Sequence, residues 1–528
     1  MRTNRLRVHR ALTAVWILVV LVSTGCGDDI VYKERPPFNP PPDSLAGFLG
    51  YYDAASGFTT CGNCHADLQA AWSATDHAGA WETLQASGHA QSVCEPCHTV
   101  SHNGNTAVAP AGYAALTANT DERPDSAQLA VYHDVQCESC HGPGAEHIAT
   151  PSAVQPLASG LVTPDGCGDC HSGAHHPFVE QWSQSKHAIG SGFSRGNSAG
   201  CDECHNGKGA LVQQFGVTAD YRNKDDGEVM PHTCIVCHDP HSRAVPSQLR
   251  APVTEATTRN LCIKCHNRRS IPDGGHRGPH AAQGPLVLGE NVGWWPPGFE
   301  WLNGLTGSHG DAAANPRLCA TCHVEMFEVT DAENNFVFQS VGHLFEAVPC
   351  VDGDGVPIAG GECAASERRF TACAVCHSSP TVARNLYVAS IAEFNALLDQ
   401  IWQDVNGNAI IDPAPTDGGV LAQILQVTAD PKQIDMGDTL FTAAEGILYN
   451  AQLAATHERD VFLDGATIVG TDTVGFSGHF AAGNGIHNPP FLESLLKASI
   501  QHAIDAYGLP APAGVDLTLP AAALARKP

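Results

Sequence analysis

Basic residues and methionine are scarce in this sequence of 528 residues. Lys and Arg together number 28 against 55 Asp and Glu, which gives a formal net charge of −27. A nucleic-acid-binding protein neutralises phosphates with basic side chains, so this charge balance excludes a nucleic-acid partner. The four methionines are too few for any cofactor chemistry that needs many thioether ligands.

Long apolar runs are also missing. The apolar stretch of residues 11–22 follows Arg2, Arg5, Arg7 and Arg10. A helix that crosses a membrane needs about 20 apolar residues, whereas a shorter run behind a basic segment is typical of an export signal. We therefore expect residues 1–25 to be a signal peptide and the protein to be exported.

The residues after this run resemble a bacterial lipobox, Ser23-Thr24-Gly25-Cys26. The resemblance implies a lipid on Cys26 and a lipoprotein of the periplasm or outer membrane. Ser23 departs from the usual leucine-like residue, and secretion without a lipid is the alternative. Residues 26–57 contain a proline-rich stretch that predicts an extended linker.

Cysteine and histidine, in contrast, are abundant, with 21 and 28 residues. Eighteen of the cysteines fall into nine Cys-x-x-Cys-His motifs, in which the two cysteines attach haem c covalently and the histidine binds its iron. The sequence therefore predicts nine haems. The cysteines are Cys61, Cys64, Cys94, Cys97, Cys137, Cys140, Cys167, Cys170, Cys201, Cys204, Cys234, Cys237, Cys262, Cys265, Cys319, Cys322, Cys373 and Cys376. The proximal histidines are His65, His98, His141, His171, His205, His238, His266, His323 and His377.

Zinc and a disulfide framework are the competing interpretations of paired cysteines. Neither requires a histidine directly after every pair, and tetrahedral zinc sites join pairs about 15–20 residues apart, which is closer than the motifs here. Cys350 and Cys363 lie outside the motifs. In an oxidising compartment we expect these two to form a disulfide.

Two segments of the motif region resemble each other. Trp72-Ser-Ala-Thr-Asp-His77-Ala and Trp182-Ser-Gln-Ser-Lys-His187-Ala follow the first and fourth motifs. This spacing predicts two tandem three-haem units, residues 58–150 and 160–245, followed by a third group over 246–380. Residues 58–380 would then form one nine-haem domain.

The second axial ligand of each iron is expected to be histidine, because methionine is too rare to serve nine sites. Iron with two histidine ligands passes electrons at low potential. The repeat and the spacing to nearby motifs indicate seven candidates. These are His77, His147, His187, His232, His241, His280 and His309. Spacing gives weaker support to seven other candidates for the second ligand, which are His89, His102, His133, His175, His176, His276 and His343.

The repeated Trp-Ser-x-Ser-x-His-Ala element, the segment 135–147 and the Cys-His-Asp-Pro-His241 string resemble multihaem cytochromes related to the tetrahaem carrier of ammonia oxidisers. The resemblance covers residues 58–380 and implies stacked haems wrapped by short helices and loops. That group includes hydroxylamine oxidoreductase and ammonia-forming nitrite reductase, so the resemblance does not choose between carrier and enzyme. The nitrite reductases typically have lysine in one motif, whereas all nine motifs here have histidine.

Residues 381–528 lack cysteine and predict a haem-free helical module. Ser390 and Glu393 form a capping-box pattern before apolar residues at helical spacing. A second helix is predicted over 440–455, and a third from Asn488 to Gly508. Before the third helix, Gly-Ile-His487-Asn-Pro is similar to a C-terminal signature of the nitrite-reductase-like cytochromes. The resemblance implies that His487 is a distal haem ligand.

The residues Asp404 to Asp412 have oxygen ligands at the spacing of a calcium loop, but Ala409 replaces the glycine and the closing glutamate is missing. Calcium is therefore kept only as a second, minor cofactor prediction.

The expected fold is mainly α with extensive irregular loops, a multihaem cytochrome c fold organised around stacked covalent haems with a helical C-terminal module. The expected function is electron transfer, with no catalytic residue required. The alternatives are an oxidoreductase of nitrogen or sulfur oxyanions with one open haem, and a structural subunit of a porin–cytochrome complex or a filament. The acidity predicts redox partners with basic docking patches.

Overall fold

The computed structural model describes residues 47–101, 103–104, 110–118, 125–158, 166–189, 198, 200–218, 221, 224–273, 278–301, 309–435, 440–462, 464–469, 472–477 and 485–519. All of them belong to one compact unit that begins at Asp43. The predicted signal peptide, Cys26 and most of the linker lie outside the described residues, as do His102 and His276.

Short helices and loops form the described chain before residue 380, where no α-helix exceeds seven residues. The 52 glycines and 35 prolines of the chain interrupt regular backbone and account for this. The helices are α1 Ala66–Trp72, α2 Ala80–Ala86, α3 Gly112–Ala118, α4 Ser126–Ala130, α5 Cys137–His141, α6 Ala145–Ala149, α7 Phe178–Gln184, α8 Lys186–Ile189, α9 Asp202–His205, α10 Gly207–Gln213, α11 Cys234–Cys237, α12 Gln283–Leu288, α13 Cys319–His323 and α14 Thr371–Ala374. Single 3₁₀ turns include Cys61–Asn63, Asp76–Gly79, Glu95–Cys97, Cys167–Asp169, Pro246–Gln248 and Ala365–Glu367.

Sheet is limited to four two-stranded antiparallel hairpins among the described residues. The strands are β1 Tyr51–Asp53 with β2 Phe58–Thr59, β3 Phe327–Thr330 with β4 Phe336–Ser340, β5 Cys350–Val351 with β6 Pro357–Ile358, and β7 Asp464–Val469 with β8 Asp472–Ser477. The protein is therefore mainly helical with irregular loops, as expected.

Four longer helices follow. They are α15 Pro380–Ile401, α16 Gly419–Thr428, α17 Ala443–Ala454 and α18 Pro489–Tyr507. A capping box of Thr442 and Glu445 begins α17, and Gly508 in the left-handed conformation ends α18, which confirms the second and third predicted helices. The 3₁₀ turns Pro431–Ile434 and Gly485–His487 precede α17 and α18.

The start predicted for the first of these helices was wrong. Ser379 caps α15 by accepting a hydrogen bond from Val382 N, and Pro380 follows at the first position. Ser390 and Glu393 therefore lie inside the helix, about three turns after its start. The β7–β8 hairpin is a second difference, because residues 381–528 were expected to be helical throughout.

The largest hydrophobic core joins these helices to an earlier segment. Leu397, Leu448 and Leu496 are fully buried in it, and the core includes apolar residues of 282–301, among them Leu286 and Trp301. Two smaller clusters lie in the motif region, around Tyr132 and around Leu211. Within the described residues, no helix is long and apolar enough to cross a membrane.

Candidate haem-binding sites

Each motif folds as one tight turn that brings its three functional side chains together. In the first motif, His65 N donates a hydrogen bond to Cys61 O at 3.0 Å. The equivalent bond recurs in the fourth and ninth motifs, from His171 to Cys167 at 2.9 Å and from His377 to Cys373 at 2.8 Å. Most motifs form a short α-helix or a 3₁₀ turn, and the seventh motif forms a turn without a helix.

Histidine rings from distant segments lie opposite the proximal histidines in eight of the nine motifs. The ring centres in these pairs are 5.8–6.3 Å apart. With the proximal residue first, the pairs are His65 with His147, His141 with His241, His171 with His77, His205 with His280, His238 with His343, His266 with His187, His323 with His487, and His377 with His309.

This spacing fits a metal ion between the rings. Two metal–nitrogen bonds of about 2.0 Å, together with the half-width of each ring, put the ring centres of a bis-histidine pair roughly 6 Å apart. The donors are imidazoles, which are common axial ligands of haem iron. The residues present therefore fit haem c at these eight motifs.

Hydrogen bonds at the second ring nitrogen orient several of these histidines. Nδ1 of His147 lies 2.7 Å from Val154 O, Nδ1 of His323 lies 2.8 Å from Phe345 O, and Nδ1 of His309 lies 2.8 Å from Ile486 O. When Nδ1 donates to a carbonyl, Nε2 carries the free lone pair. These bonds therefore present Nε2 to an iron.

Burial favours the neutral form of several paired imidazoles, which is the form that binds a metal. It lowers the pKa of His171 and His343 to about 4 and that of His187 to about 3, with smaller contributions from neighbouring histidines. Burial is also the main cause of the lowered pKa of His77 and His241. These side chains are therefore uncharged at neutral pH.

The second to ninth motifs share one space, to which the third motif contributes Ser139 and Cys140. A connected cavity of about 3620 Å³ is lined by His98, His171 and the proximal histidines that follow, and by apolar residues such as Phe178 and Leu386. His487 and Pro489 at the start of α18 also line this cavity. The C-terminal helices are thus part of the site.

Seven of the eight predicted distal histidines take part in the opposed pairs, and His232 does not. The His232 ring packs against His187 at 5.8 Å and 63°, and His187 also pairs with His266 at 6.3 Å. His232 N also donates to His187 O at 3.1 Å. His232 therefore lies beside the His187–His266 pair.

His343 was missed as a strong candidate. Its ring faces His238 at 6.3 Å and 18°, although the two residues are far apart in the sequence. Buried Gln181 holds it in place, because Gln181 Oε1 accepts hydrogen bonds from Val341 N and His343 N. No spacing signal connects His343 with its partner.

The second motif differs from the others. Across the part of the chain that the structure describes, His98 has no second histidine ring at this spacing, although its Nδ1 lies 2.9 Å from Ala80 O. His176 lines the same cavity, and it is close enough to His98 for the two rings to interact electrostatically.

The two Trp-Ser segments make the same contacts. Trp72 Nε1 donates to Val135 O at 3.0 Å, and Trp182 Nε1 donates to His232 O at 2.7 Å. Val135 N then donates to His77 O at 3.1 Å, as His232 N does to His187 O. Each indole therefore holds the segment of His77 or His187 against the residues that lead into the third motif of its repeat.

Two further predictions concern residues outside the motifs, a disulfide and a calcium loop. Cys350 and Cys363 form a disulfide, as expected. In the proposed calcium loop, the Asp404 carboxylate accepts hydrogen bonds from the backbone N–H groups of Gly407, Asn408 and Ala409. The described residues contain no metal-binding cluster of three or more His, Cys, Asp or Glu, and calcium stays a prediction.

Two family models match the chain: a doubled CXXCH motif over residues 227–270, and cytochrome c554 and c-prime over residues 60–142. Among curated proteins, the C-type polyheme cytochrome OmcB of Geobacter sulfurreducens is 27% identical over 191 residues, which are 35% of this chain and 20% of the relative. OmcC of the same species is 29% identical over 166 residues, 25% of this chain and 22% of the relative. No solved structure matches.

The matched part of the chain spans about a fifth of the length of these relatives. Together with the motifs, the comparisons support a class: this is a multihaem c-type cytochrome that binds haem c covalently. A link to hydroxylamine oxidoreductase or nitrite reductase does not follow from them.

Proposed function

We propose that the protein is an exported nonahaem c-type cytochrome that transfers electrons along a chain of haems with two histidine ligands each. The observation that carries the proposal is the set of eight opposed histidine pairs. When bound, haem c supplies one-electron iron chemistry. At eight of the nine motifs the paired histidines would hold the iron from both faces and leave it no position for a substrate.

Export and a lipid on Cys26 belong to this proposal. The basic segment, the short apolar run and the lipobox-like tetrapeptide support it, and so does the disulfide, because disulfides persist in oxidising compartments. We place the protein in the periplasm or at the outer membrane. Its redox partners would carry basic docking patches that complement the formal charge of −27, and porin or cytochrome partners are compatible with it.

The test is the number and the spin state of the irons. Intact-mass measurement of the purified holoprotein should give nine haem increments, and labelling with a lipid precursor should modify the wild type but not Cys26→Ala. Electron paramagnetic resonance of the oxidised protein should show low-spin ferric iron. A haem count below nine, or several high-spin irons, would contradict the proposal.

A second function, reduction of a small oxyanion, is favoured only by the second motif. His98 has no opposed ring in the described structure, so an open iron position would be expected there and nowhere else among the described pairs. Binding of CO by one of the nine reduced irons would support this enzymatic function. Absence of CO binding would leave electron transfer as the function.

A further inference from the structure

Contacts between different motifs arrange the nine haem sites in space, here numbered 1 to 9 along the chain. The Cys61 thiol of site 1 is in hydrogen-bonding contact with Cys137 of site 3, and Thr59 Oγ1 lies 3.8 Å from Cys137 Sγ. Cys140, the second cysteine of site 3, lies near Cys167 of site 4. Sites 1, 3 and 4 are therefore consecutive neighbours.

Gly104 allows sites 3 and 4 to lie close to each other. Gly104 has φ +80°, and a Cβ on it would lie 2.3 Å from Ser139 O in the third motif. Its N–H donates to Asp169 Oδ2 in the fourth motif at 3.0 Å. Because a side chain would separate the two motifs, a residue without one is required here.

Sites 4, 6 and 7 continue the series. Cys167 is in hydrogen-bonding contact with Cys234 of site 6. Phe178 packs edge-on between His171 of site 4 and His343 of site 6, with ring centres 5.4 and 4.9 Å away. Phe345 packs against His343 at 5.3 Å and against His187 of site 7 at 4.6 Å. Two phenylalanines thus lie between the axial ligands of successive sites.

Sites 7, 8 and 9 complete the series of neighbouring sites. Cys262 of site 7 is in hydrogen-bonding contact with Cys319 of site 8. Cys322 of site 8 lies near Cys373 of site 9, and Thr371 Oγ1 donates to Glu325 Oε2 at 2.8 Å across these two motifs.

Sites 2 and 5 each attach to the side of this series. Cys97 Sγ lies 3.8 Å from Asp169 O of site 4, and the Cys97 and Cys170 thiols are in contact. In the same way, Cys204 of site 5 contacts Cys265 of site 7, and Glu203 of site 5 forms a 2.5 Å ion pair with Arg268.

The same pattern recurs after three sites. The contact of site 1 with site 3 corresponds to that of site 4 with site 6, and the attachment of site 2 to site 4 corresponds to that of site 5 to site 7. The ligand His77 of the first segment serves site 4, and His187 of the second serves site 7. Because both the contacts between sites and the positions of the histidines recur after three sites, we attribute the arrangement to the repeated fold.

We infer that seven sites form one line in the order 1, 3, 4, 6, 7, 8, 9, that sites 2 and 5 are side branches, and that one-electron redox partners exchange electrons at sites 1 and 9. Exposure supports the choice of ends. Among the described motif cysteines, Cys64 of site 1 and Cys376 of site 9 are the exposed ones, and the other sixteen are partly covered. This inference rests on the proposed electron-transfer function.

The first test compares a site on the line with a side site in the full holoprotein. A photoreductant is attached to Ala55→Cys, in the exposed turn next to site 1. His309→Met then gives site 9 a methionine ligand, which raises its potential and gives it a charge-transfer band of its own. The rate at which this band disappears after a flash measures the arrival of the electron at site 9.

Two matched variants are added to this background: His241→Met at site 3 on the line, and His280→Met at site 5 on a branch. Each raises the potential of one site, and every 59 mV slows escape from it about tenfold. We expect His241→Met to slow arrival by about tenfold or more, and His280→Met to change it less than about twofold. Equal effects of the two variants, or no effect of His241→Met, would overturn the order.

The parent protein separates this inference from the proposed function. If no electron reaches site 9 in the parent, the conduit function itself fails. Iron positions from electron cryomicroscopy of the wild-type holoprotein test the order without any variant. The irons of sites 2 and 5 should each be nearest to one line iron, those of sites 4 and 7. A side iron inserted between two line irons would overturn the order.

Discussion

The motif region and the C-terminal helices build their interiors in different ways. Between Cys61 and His377, the described α-helices have at most seven residues and surround a cavity lined by histidines. From Pro380 onward, helices of 22 and 19 residues bury a continuous set of leucine, isoleucine and aromatic side chains. The first region needs a cofactor as its core, whereas the second supplies its core from its own sequence.

The two regions nevertheless share residues. Asn450 of α17 accepts a hydrogen bond from Trp294 N at 2.8 Å, and Ile486 O lies 2.8 Å from Nδ1 of His309. The helical region therefore positions His309 and His487, the predicted distal ligands at the last two motifs. The two regions differ in whether a cofactor or apolar side chains fill the interior. Four changes to the protein test this difference.

The largest effect is expected when haem attachment is prevented. Protein produced without the haem-attachment machinery should lose protection of backbone amides throughout residues 61–377, while α15, α17 and α18 keep protected amides, because their apolar core persists. Hydrogen exchange followed by mass spectrometry measures both regions at once. Equal loss in both regions would remove the distinction.

Next in size is a cavity in the helical core. Leu496→Ala, at a fully buried position, should lower the free energy of unfolding of the helical region by about 2–5 kcal/mol, measured by urea titration with circular dichroism. Val427→Ala at an exposed position of α16 is the control and should change it by less than about 0.5 kcal/mol. If the two variants unfold alike, the core is not continuous.

A titratable group in the motif region gives a smaller, pH-dependent effect. The buried Glu138 carboxylate accepts hydrogen bonds from Leu49 N, Gly50 N and Gly144 N. Burial raises its pKa to about 7, so the folded state binds a proton more tightly than the unfolded chain. This stabilisation is complete below about pH 4.5 and is lost as the pH rises to about 7, amounting to about 3 kcal/mol.

Glu138→Gln should remove this pH dependence. Urea midpoints of the motif region, measured in steps from pH 4.5 to 8, should fall with pH in the wild type and remain flat in the variant. The midpoint of the helical region serves as the internal control and should not follow the change. A slope unchanged by the substitution would show that another group is responsible.

Surface ion pairs should have the smallest effect in both regions. Arg243 and Asp76 lie 2.6 Å apart and are largely exposed, while Arg459 contacts both oxygens of Asp399 at 2.6 and 3.1 Å. Arg243→Gln should cost less than about 1 kcal/mol and Arg459→Gln about the same or slightly more. Both costs should shrink in high salt, which unfolding at two ionic strengths would reveal.

Local patterns account for what the sequence predicted correctly. Each Cys-x-x-Cys-His motif is complete within five residues, and the turn it forms depends on nothing farther away. Asn488, Pro489 and Gly508 likewise mark the two ends of α18 by their own backbone preferences. Ser379-Pro380 carries the same kind of signal for the start of α15, whereas Ser390 and Glu393 lie inside this helix.

Long-range pairings account for the features that the sequence did not predict. His343 meets His238 only after the chain has returned from a hairpin, and Gln181 of the preceding unit fixes it there. His232 has the short spacing to a motif that suggested a ligand, yet it occupies the place that Val135 holds in the first segment. Sequence spacing indicates the repeat but not the equivalence of His232 with Val135, and it does not record the path of the chain.

Thiol contacts between motifs also set an order for biogenesis. Cys61 and Cys137, and likewise Cys262 and Cys319, come from separate motifs and are in contact in the fold. In an exported chain, unmodified thiols this close would oxidise to crosslinks, whereas Cys350 and Cys363 need that same oxidation. In the exported protein that we propose, thioether formation at the motif cysteines would therefore have to precede compaction of the chain.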